Sequence, residues 1–172
     1  MKKLILLRHA KSSWDDPGLD DHDRTLNKRG KAASPVIGEW LTHRNHLPDA
    51  ILCSTAVRAR ETLRRLALPE SASRAVTFLP ALYHASPETM LEVLRAVETD
   101  VDTVLLVGHQ PGLGAMTRLM SDHATARCKR AFEHFPTAAA AVLEADVPRW
   151  KDIGYGEANF IDFAKPRELM DA

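Results

Sequence analysis

The sequence predicts an α/β domain built on a largely parallel sheet. Short apolar runs alternate with longer stretches of helical periodicity, which is typical of βα units. The first run, Lys3–Arg8, is almost continuously apolar, as strands buried on both faces of a sheet are. The chain has 172 residues, which fits one domain, and we predict that residues 1–172 form a single domain.

A polar loop and a long helix follow the first strand. The loop spans Lys11–Arg24 and is rich in Asp and Gly, and the helix lies within Asn27–His43. Pro35 falls inside this helix and leaves two alternatives open. Either Pro35 kinks the helix, or Ser34 caps a helix that has Pro35 in its first turn.

The second strand is predicted at Ala50–Cys53, with Ser54 as the N-cap of a helix that reaches about Leu66. A segment near residue 140 could be strand or helix by periodicity, and we predict a strand because Pro136 precedes it. The other predicted strands and helices are Val76–Leu79, a helix opened by Ser86–Glu88, Thr103–Val107, a helix over Pro111–Met120, Ala138–Leu143 and Asn159–Phe163.

Charge and composition exclude several classes of protein. Lys and Arg total 23, Asp and Glu total 23, and the formal net charge is zero. We therefore expect neither a nucleic-acid partner nor a membrane partner, since both kinds of binding rely on an excess of positive charge. Any anion site must come from a few locally placed cations.

The cysteines and the N-terminus suggest where the protein works. Cys53 and Cys128 form no CxxC motif and no disulfide framework, which is typical of a reducing compartment. The apolar run Leu4–Leu7 is too short for a signal-peptide core, and no stretch is long enough to cross a bilayer. We therefore expect a cytoplasmic protein.

Reactive side chains fall just past the ends of three predicted strands. Arg8–His9, Ser54 and Gly108–His109 each occupy such a position. Ligands of open α/β sheets bind at the carboxyl ends of the strands, so these segments are expected to meet at one edge.

Two of these segments carry groups suited to phosphoryl chemistry. The neutral imidazole of His9 can attack phosphorus, and the guanidinium of Arg8 matches phosphoryl oxygens. A surface pair of basic residues would explain the same dipeptide. His109 lies at a strand-to-helix turn, where Gly108 allows close approach of the backbone, and it could donate a hydrogen bond to an oxyanion. An ordinary turn histidine is the alternative.

A third cation comes from the helix after Ser54. If that helix begins at Ser54, Arg58 lies in its first turns, near the positive end of the helix dipole. That position suits an anion, although a solvated helix face would also explain the arginine.

Taken together, the motifs resemble those of the histidine phosphatase superfamily, and most closely those of the small phosphohistidine phosphatases of the SixA type. The matching segments are Leu4–Lys11, Asp23–Leu26 with Gly30, Ser54–Ala59 with Thr62, and Val107–Pro111. Ala10 departs from the pattern where the family has Gly, and Thr55 departs where Pro is common. The resemblance implies a phosphoglycerate-mutase-like fold, a three-layer sandwich with a mostly parallel central sheet.

The resemblance also implies roles for individual residues. His9 would be the nucleophile, and Arg8, Arg58 and His109 would surround the phosphoryl group. The residues expected to help bind phosphate or substrate are Arg24, Ser54 and Gly108. For Arg24, an ion pair with Asp21 or Asp23 is an equally good explanation.

The proton donor for the leaving group has no clear counterpart in the sequence. Larger relatives use a Glu or an Asp, and the candidates here are Glu88 and Asp16, with Asp15, Asp20 and Asp21 nearby. Glu88 would also suit the N-terminus of a helix. A site without a strong acid favours phosphohistidine, whose imidazole leaving group has a conjugate acid with a pKa of about 6.5, over alkyl phosphate esters.

We therefore predict a metal-independent phosphatase that uses no cofactor and acts through a phosphohistidine on His9. Its partner would be a phosphorylated protein or a small phosphorylated substrate, and we expect a monomer. The alternatives are a small-molecule phosphomonoesterase of the same superfamily and a non-catalytic module that binds phosphorylated ligands.

Overall fold

A computed structural model describes residues 1–70, 75–121, 129, 131 and 134–171. Cys128 lies outside these residues. The strands are Lys2–Arg8 (β1), Ala50–Ser54 (β2), Val76–Leu79 (β3), Thr103–Gly108 (β4), Ala140–Ala145 (β5) and Ala158–Ala164 (β6). The α-helices of the described part are Lys28–His43 (α1), Val57–Arg65 (α2), Pro87–Arg95 (α3), Gly112–Met120 (α4) and Pro166–Met170 (α5). No helix within these ranges is long and apolar enough to span a membrane.

The six strands form one mixed sheet in the order β3-β2-β4-β1-β5-β6. The pairs β3-β2, β2-β4 and β4-β1 are parallel, whereas β5 runs antiparallel to both of its neighbours. The central position of β1 explains its apolar sequence, because a strand covered on both faces buries its side chains, as β1 does from Leu4 to Leu7. The predicted α/β fold with a mostly parallel central sheet is confirmed.

The sheet separates two apolar cores, which makes the domain a three-layer sandwich. Leu4 and Leu6 of β1 belong to the core that α3 and α4 cover. Ile5 and Leu7 belong to the opposite core, which α1 and α2 cover. Successive side chains of a strand point to opposite faces, so one strand contributes to both layers.

Helix α1 passes through Pro35 without interruption. Its N-cap is Asn27, whose side chain accepts a hydrogen bond from the Gly30 amide at 2.9 Å. Ser34 instead donates its hydroxyl to the Gly30 carbonyl inside the helix. The alternative in which Ser34 caps the helix is therefore wrong, because Asn27 satisfies the first turn farther upstream.

The predicted helix cap at Ser54 is also wrong. Helix α2 begins at Val57, after the N-cap Ala56, which makes no side-chain capping bond. Ser54 is the last residue of β2, and its hydroxyl lies 2.8 Å from Nε2 of His109. The Ser54 hydroxyl, which was expected to cap a helix, thus links the end of β2 to His109 after β4.

Strand β5 begins later than expected. Ala138 has a φ of 60°, in the left-handed region, and its amide lies 3.0 Å from the carbonyl oxygens of both Arg8 and His9. This turn delays β5 until Ala140 and ties the segment before β5 to the end of β1.

Candidate active site

The ends of β1, β2 and β4 bring the predicted site residues together. Arg8 pairs with Gly108 in the parallel ladder, and the His9 amide donates to the Gly108 carbonyl at 3.1 Å. The imidazole rings of His9 and His109 follow these strands, with centroids 5.1 Å apart. Ser54 joins them from β2 through its hydrogen bond with His109.

The hydrogen bonds of His9 fix its tautomer, with the hydrogen on Nδ1 and a free lone pair on Nε2. Its Nδ1 lies 2.7 Å from the Ala10 carbonyl, an acceptor only, so Nδ1 carries the hydrogen. Nε2 then keeps its lone pair and faces Nε of Arg58 at 3.4 Å. Burial lowers the pKa of His9 to about 3, and the charges of Arg58, Arg8 and Arg24 act in the same direction. The imidazole is therefore neutral at physiological pH.

The loop after His9 is fixed by a threonine. The Ala10 amide donates to Oγ1 of Thr62 at 2.9 Å, and Thr62 donates to the Arg58 carbonyl at 2.7 Å. Thr62 and Arg58 are one turn apart on α2, so this helix positions the backbone beside His9 as well as the guanidinium.

Arg58 is a buried cation with a carboxylate partner. Only 1% of its surface is exposed. Its Nη1 donates to the Asp21 carbonyl at 2.6 Å, and its Nη2 donates to Oδ2 of Asp21 at 3.0 Å. Asp21 lies in the loop between β1 and α1, within a short 3-10 turn over Asp21–Asp23.

Two further side chains surround the Asp21 carboxylate. The Tyr83 hydroxyl donates to Oδ2, and Nε2 of His84 lies 3.0 Å from the same oxygen. These bonds and Arg58 hold the pKa of Asp21 well below its usual range, with the Tyr83 bond as the largest cause. Tyr83 and His84 were not predicted as site residues from the sequence, although both follow the carboxyl end of a strand, β3.

His109 is buried between the other rings of the site. It is 3% exposed, and its centroid lies 4.8 Å from that of His84. Burial lowers its pKa to about 2, and the nearby His9, Arg58 and His84 act in the same direction.

Two buried nitrogen atoms at this edge have no hydrogen-bond partner among the described residues, Nε of Arg8 and Nδ1 of His109. Buried polar atoms are normally paired, so these two can take an oxygen of a bound anion. Arg8 Nη1 is fixed by the Phe135 carbonyl at 3.0 Å.

Arg24 forms an ion pair with Asp21, one of the two aspartates that the sequence offered as its partner. Its Nε donates to Oδ1 of Asp21 at 3.1 Å, and its Nη1 donates to the Ser12 hydroxyl at 2.8 Å. Its guanidinium carbon lies 3.5 Å from the centre of the Trp14 ring. Arg24 thereby joins both ends of the loop that carries Asp21.

Asp16 and Glu88, two of the carboxylates considered as proton donors, lie elsewhere. Asp16 is exposed and accepts the Gly18 amide at 3.0 Å within its own turn. Glu88 is exposed in the first turn of α3, where its charge acts on the Tyr155 hydroxyl. Among the described residues, neither enters the hydrogen-bond network around His9.

Comparison with known proteins assigns the chain to a family. A model of histidine phosphatase superfamily branch 1 matches residues 4–83. An uncharacterised protein of Mycobacterium tuberculosis is 39% identical over 166 residues, which cover 94% of this chain and 100% of that protein. The chain belongs to the histidine phosphatase superfamily.

Solved structures place this histidine phosphatase in the SixA branch. The structure of a candidate phosphohistidine phosphatase SixA from Agrobacterium tumefaciens is 34% identical, with a TM-score of 0.78, and covers 96% of this chain and 99% of that one. A candidate SixA from Nakamurella multipartitia is 28% identical, with a TM-score of 0.85, and covers 96% of both chains. The resemblance to SixA-type proteins and the phosphoglycerate-mutase-like fold are confirmed.

The electrostatics of the histidine phosphatase site suit an incoming dianion. Arg8 and Arg58 supply cationic groups, and Asp21 neutralises part of that charge. The rings of His9 and His109 are neutral, so His9 presents a lone pair rather than a proton. No group of three or more His, Cys, Asp or Glu side chains able to hold a metal ion occurs in the described ranges.

Proposed function

We propose that this protein is a metal-independent phosphohistidine phosphatase that works through a covalent phosphohistidine on His9. The observation that carries the proposal is the state of His9. Its Nδ1 is committed to the Ala10 carbonyl, and its Nε2 keeps a lone pair beside the guanidinium of Arg58. A nucleophile needs such a lone pair at the working pH.

In the first step, Nε2 of His9 attacks phosphorus in line with the leaving group. The phosphoryl oxygens carry negative charge, which the guanidinium groups of Arg8 and Arg58 neutralise. Nδ1 of His109 and Nε of Arg8, which have no hydrogen-bond partner among the described residues, are free to contact the phosphoryl oxygens. The bond from phosphorus to the leaving atom breaks as the bond to Nε2 forms.

In the second step, water attacks the phosphoryl group on His9 and releases inorganic phosphate. The electron pair of the nitrogen–phosphorus bond returns to Nε2, which is neutral again. The hydrogen bond from Nδ1 to Ala10 stabilises the ring through both steps, because this nitrogen shares the positive charge of the intermediate.

The choice of a phosphohistidine substrate rests on the leaving group. Asp21 is the carboxylate beside Arg58, and its lowered pKa keeps it ionised, so it has no proton to give. An imidazole leaves more easily than an alkoxide and depends less on a strong acid. The two solved SixA-type relatives are described as candidate phosphohistidine phosphatases, which agrees with this choice.

A protein substrate suits the open mouth of the site. The side chains of Asp21 and His84 are 42% and 48% exposed, so a phosphorylated ring on another protein can reach them. We propose a cytoplasmic monomer that acts on a phosphorylated signalling protein. Size-exclusion chromatography with light scattering tests the oligomeric state.

The decisive experiment traps the intermediate. The wild-type protein is mixed with a phosphohistidine peptide, quenched in base and analysed by intact mass and peptide mapping, with EDTA present in a parallel sample. We expect one added phosphoryl group on His9 and no effect of EDTA. His9→Asn removes both the intermediate and turnover, whereas His43→Asn, on the exposed last turn of α1, keeps both.

A fully active His9→Asn variant would exclude the covalent mechanism. Faster turnover of an alkyl phosphate than of the phosphohistidine peptide would instead favour a small-molecule phosphomonoesterase. Binding of the peptide without release of phosphate would indicate a binding module.

A further inference from the structure

His84 and Asp21 form a paired imidazole and carboxylate at the mouth of the site. Nε2 of His84 lies 3.0 Å from Oδ2 of Asp21, an acceptor, and 3.5 Å from Nη2 of Arg58, a donor only. The carboxylate therefore fixes the tautomer of His84, with its hydrogen on Nε2. Nδ1 is the nitrogen left to exchange a proton.

Arg58 and His109 lie between His9 and His84 and contact both of them. Arg58 approaches His9 through Nε and His84 through Nη2. The ring of His109 lies 5.1 Å from His9 and 4.8 Å from His84. A phosphoryl group held by Arg58 and His109 thus has the attacking nitrogen on one side and His84 on the other.

In-line displacement requires the leaving atom to depart opposite the nucleophile. That side of the site is the side of His84, whose side chain is 48% exposed. The charged and titratable groups that face His84 are Asp21, Arg58, Tyr83 and His109. Of these, Asp21 carries the negative charge that can stabilise an imidazolium.

We propose that His84 is the proton donor of the reaction, oriented by Asp21. This inference rests on the covalent mechanism proposed above. In the first step the phosphorus–leaving-group bond breaks, the leaving atom takes the electron pair and a proton from Nδ1 of cationic His84, and His84 becomes neutral. In the second step neutral His84 accepts a proton from the attacking water, which restores the cation as phosphate leaves.

A purely structural role must be distinguished from proton transfer, because Asp21 and His84 also contact Arg58. The dependence of the rate on the basicity of the leaving group distinguishes proton transfer from a structural role. A lost proton donor slows release of a basic alkoxide far more than release of a nitrophenolate, whereas a displaced Arg58 slows both equally.

The test compares kcat/KM of the wild type and two variants on a phosphoserine peptide and on p-nitrophenyl phosphate. His84→Asn suits the left-handed backbone at this position, where φ is 49°, and His84→Gln keeps a donor within reach of Asp21. General acid catalysis contributes about 100-fold or more, so we expect activity on the peptide to fall about 100-fold further than activity on the aryl phosphate. His43→Asn is the matched control and leaves the ratio unchanged.

The second step gives an independent readout. Without His84 to accept the proton of water, phosphate transferred rapidly from p-nitrophenyl phosphate accumulates on His9, and the steady-state fraction of phosphorylated enzyme rises. Equal losses on both substrates together with no accumulation would overturn the assignment of His84. Absence of any phosphorylated His9 in the wild type would instead overturn the covalent mechanism.

Discussion

Arg58 and Asp21 form an ion pair in which Nη2 lies 3.0 Å from Oδ2, and the Asp21 carbonyl accepts a second bond from Nη1. The guanidinium is buried, whereas the carboxylate side chain is 42% exposed. In the free enzyme, Asp21 therefore stabilises a cation that would otherwise be buried alone. An arriving phosphoryl group must share Arg58 with this carboxylate.

Replacing Asp21 by Asn should tighten the binding of inorganic phosphate. The substitution keeps the backbone carbonyl bond to Arg58 but removes the competing negative charge. Partly exposed ion pairs are worth up to about 1 kcal/mol, which corresponds to a roughly fivefold lower inhibition constant for phosphate. The measurement is competitive inhibition of p-nitrophenyl phosphate hydrolysis. Asp23→Asn, in the same turn, is the control, and weaker phosphate binding by Asp21→Asn would contradict the competition.

Thr62 is expected to contribute both to the stability of the fold and to kcat. Thr62→Val preserves shape but leaves the buried Ala10 amide without its partner, at a cost of about 1–3 kcal/mol in free energy of unfolding. The loop that carries His9 also loses its anchor, so kcat falls as well. Thr117→Val is the matched control, because buried Thr117 donates only to Leu113 in its own helix. Urea unfolding and steady-state kinetics measure both effects, and equal behaviour of the two variants would refute this role.

Gly30 allows α1 to pack against the segment after His9. A Cβ added there would lie 2.2 Å from the Lys11 carbonyl oxygen, which is backbone and cannot rotate away. Gly30→Ala should therefore displace Lys11, lower the midpoint of thermal unfolding and reduce kcat. Gly154→Ala provides the comparison, since its Cβ would meet only the flexible Glu157 side chain at 3.3 Å. Wild-type kinetics in Gly30→Ala would show that this contact does not position His9.

The sequence predicted the parts of the site that depend on strands. A buried β1 followed by Arg8 and His9 can be identified from a short apolar run, and parallel strands place Ser54 and His109 at the same edge. The misassigned cap at Ser54 shows the limit of local rules, because its hydroxyl is used by His109 from a distant strand.

The pairing of Asp21 with His84 depends on how two loops close over the sheet. The loop after β1 and the segment after β3 have no shared periodicity, and the two residues are 63 positions apart in the chain. Their charges and hydrogen-bonding groups are visible in the sequence, but their meeting is a consequence of tertiary structure. For this reason the sequence indicated carboxylates as candidate proton donors and gave no sign of His84.

The two buried histidines should make the protein sensitive to mild acid. The pKa of His9 lies near 3 and that of His109 near 2, whereas both rings titrate near 6.5 in the unfolded chain. Between these values the unfolded state binds more protons, so the free energy of unfolding falls as pH decreases, by about 1 kcal/mol per pH unit for each ring. Asp21 adds nothing between about pH 7 and pH 5, because its carboxylate is ionised in both states there.

His109→Gln should therefore reduce the loss of stability between about pH 7 and pH 5, since one fewer proton is taken up on unfolding. Urea unfolding at both pH values gives this difference directly. His43→Asn serves as the reference, because it also replaces a histidine but at an exposed position in the last turn of α1, outside the site. If His109→Gln showed the same pH dependence as the wild type, His109 would take up its proton over the same pH range in the folded and the unfolded protein. Burial would then not hold the ring neutral, and the lowered pKa assigned to His109 would have to be abandoned.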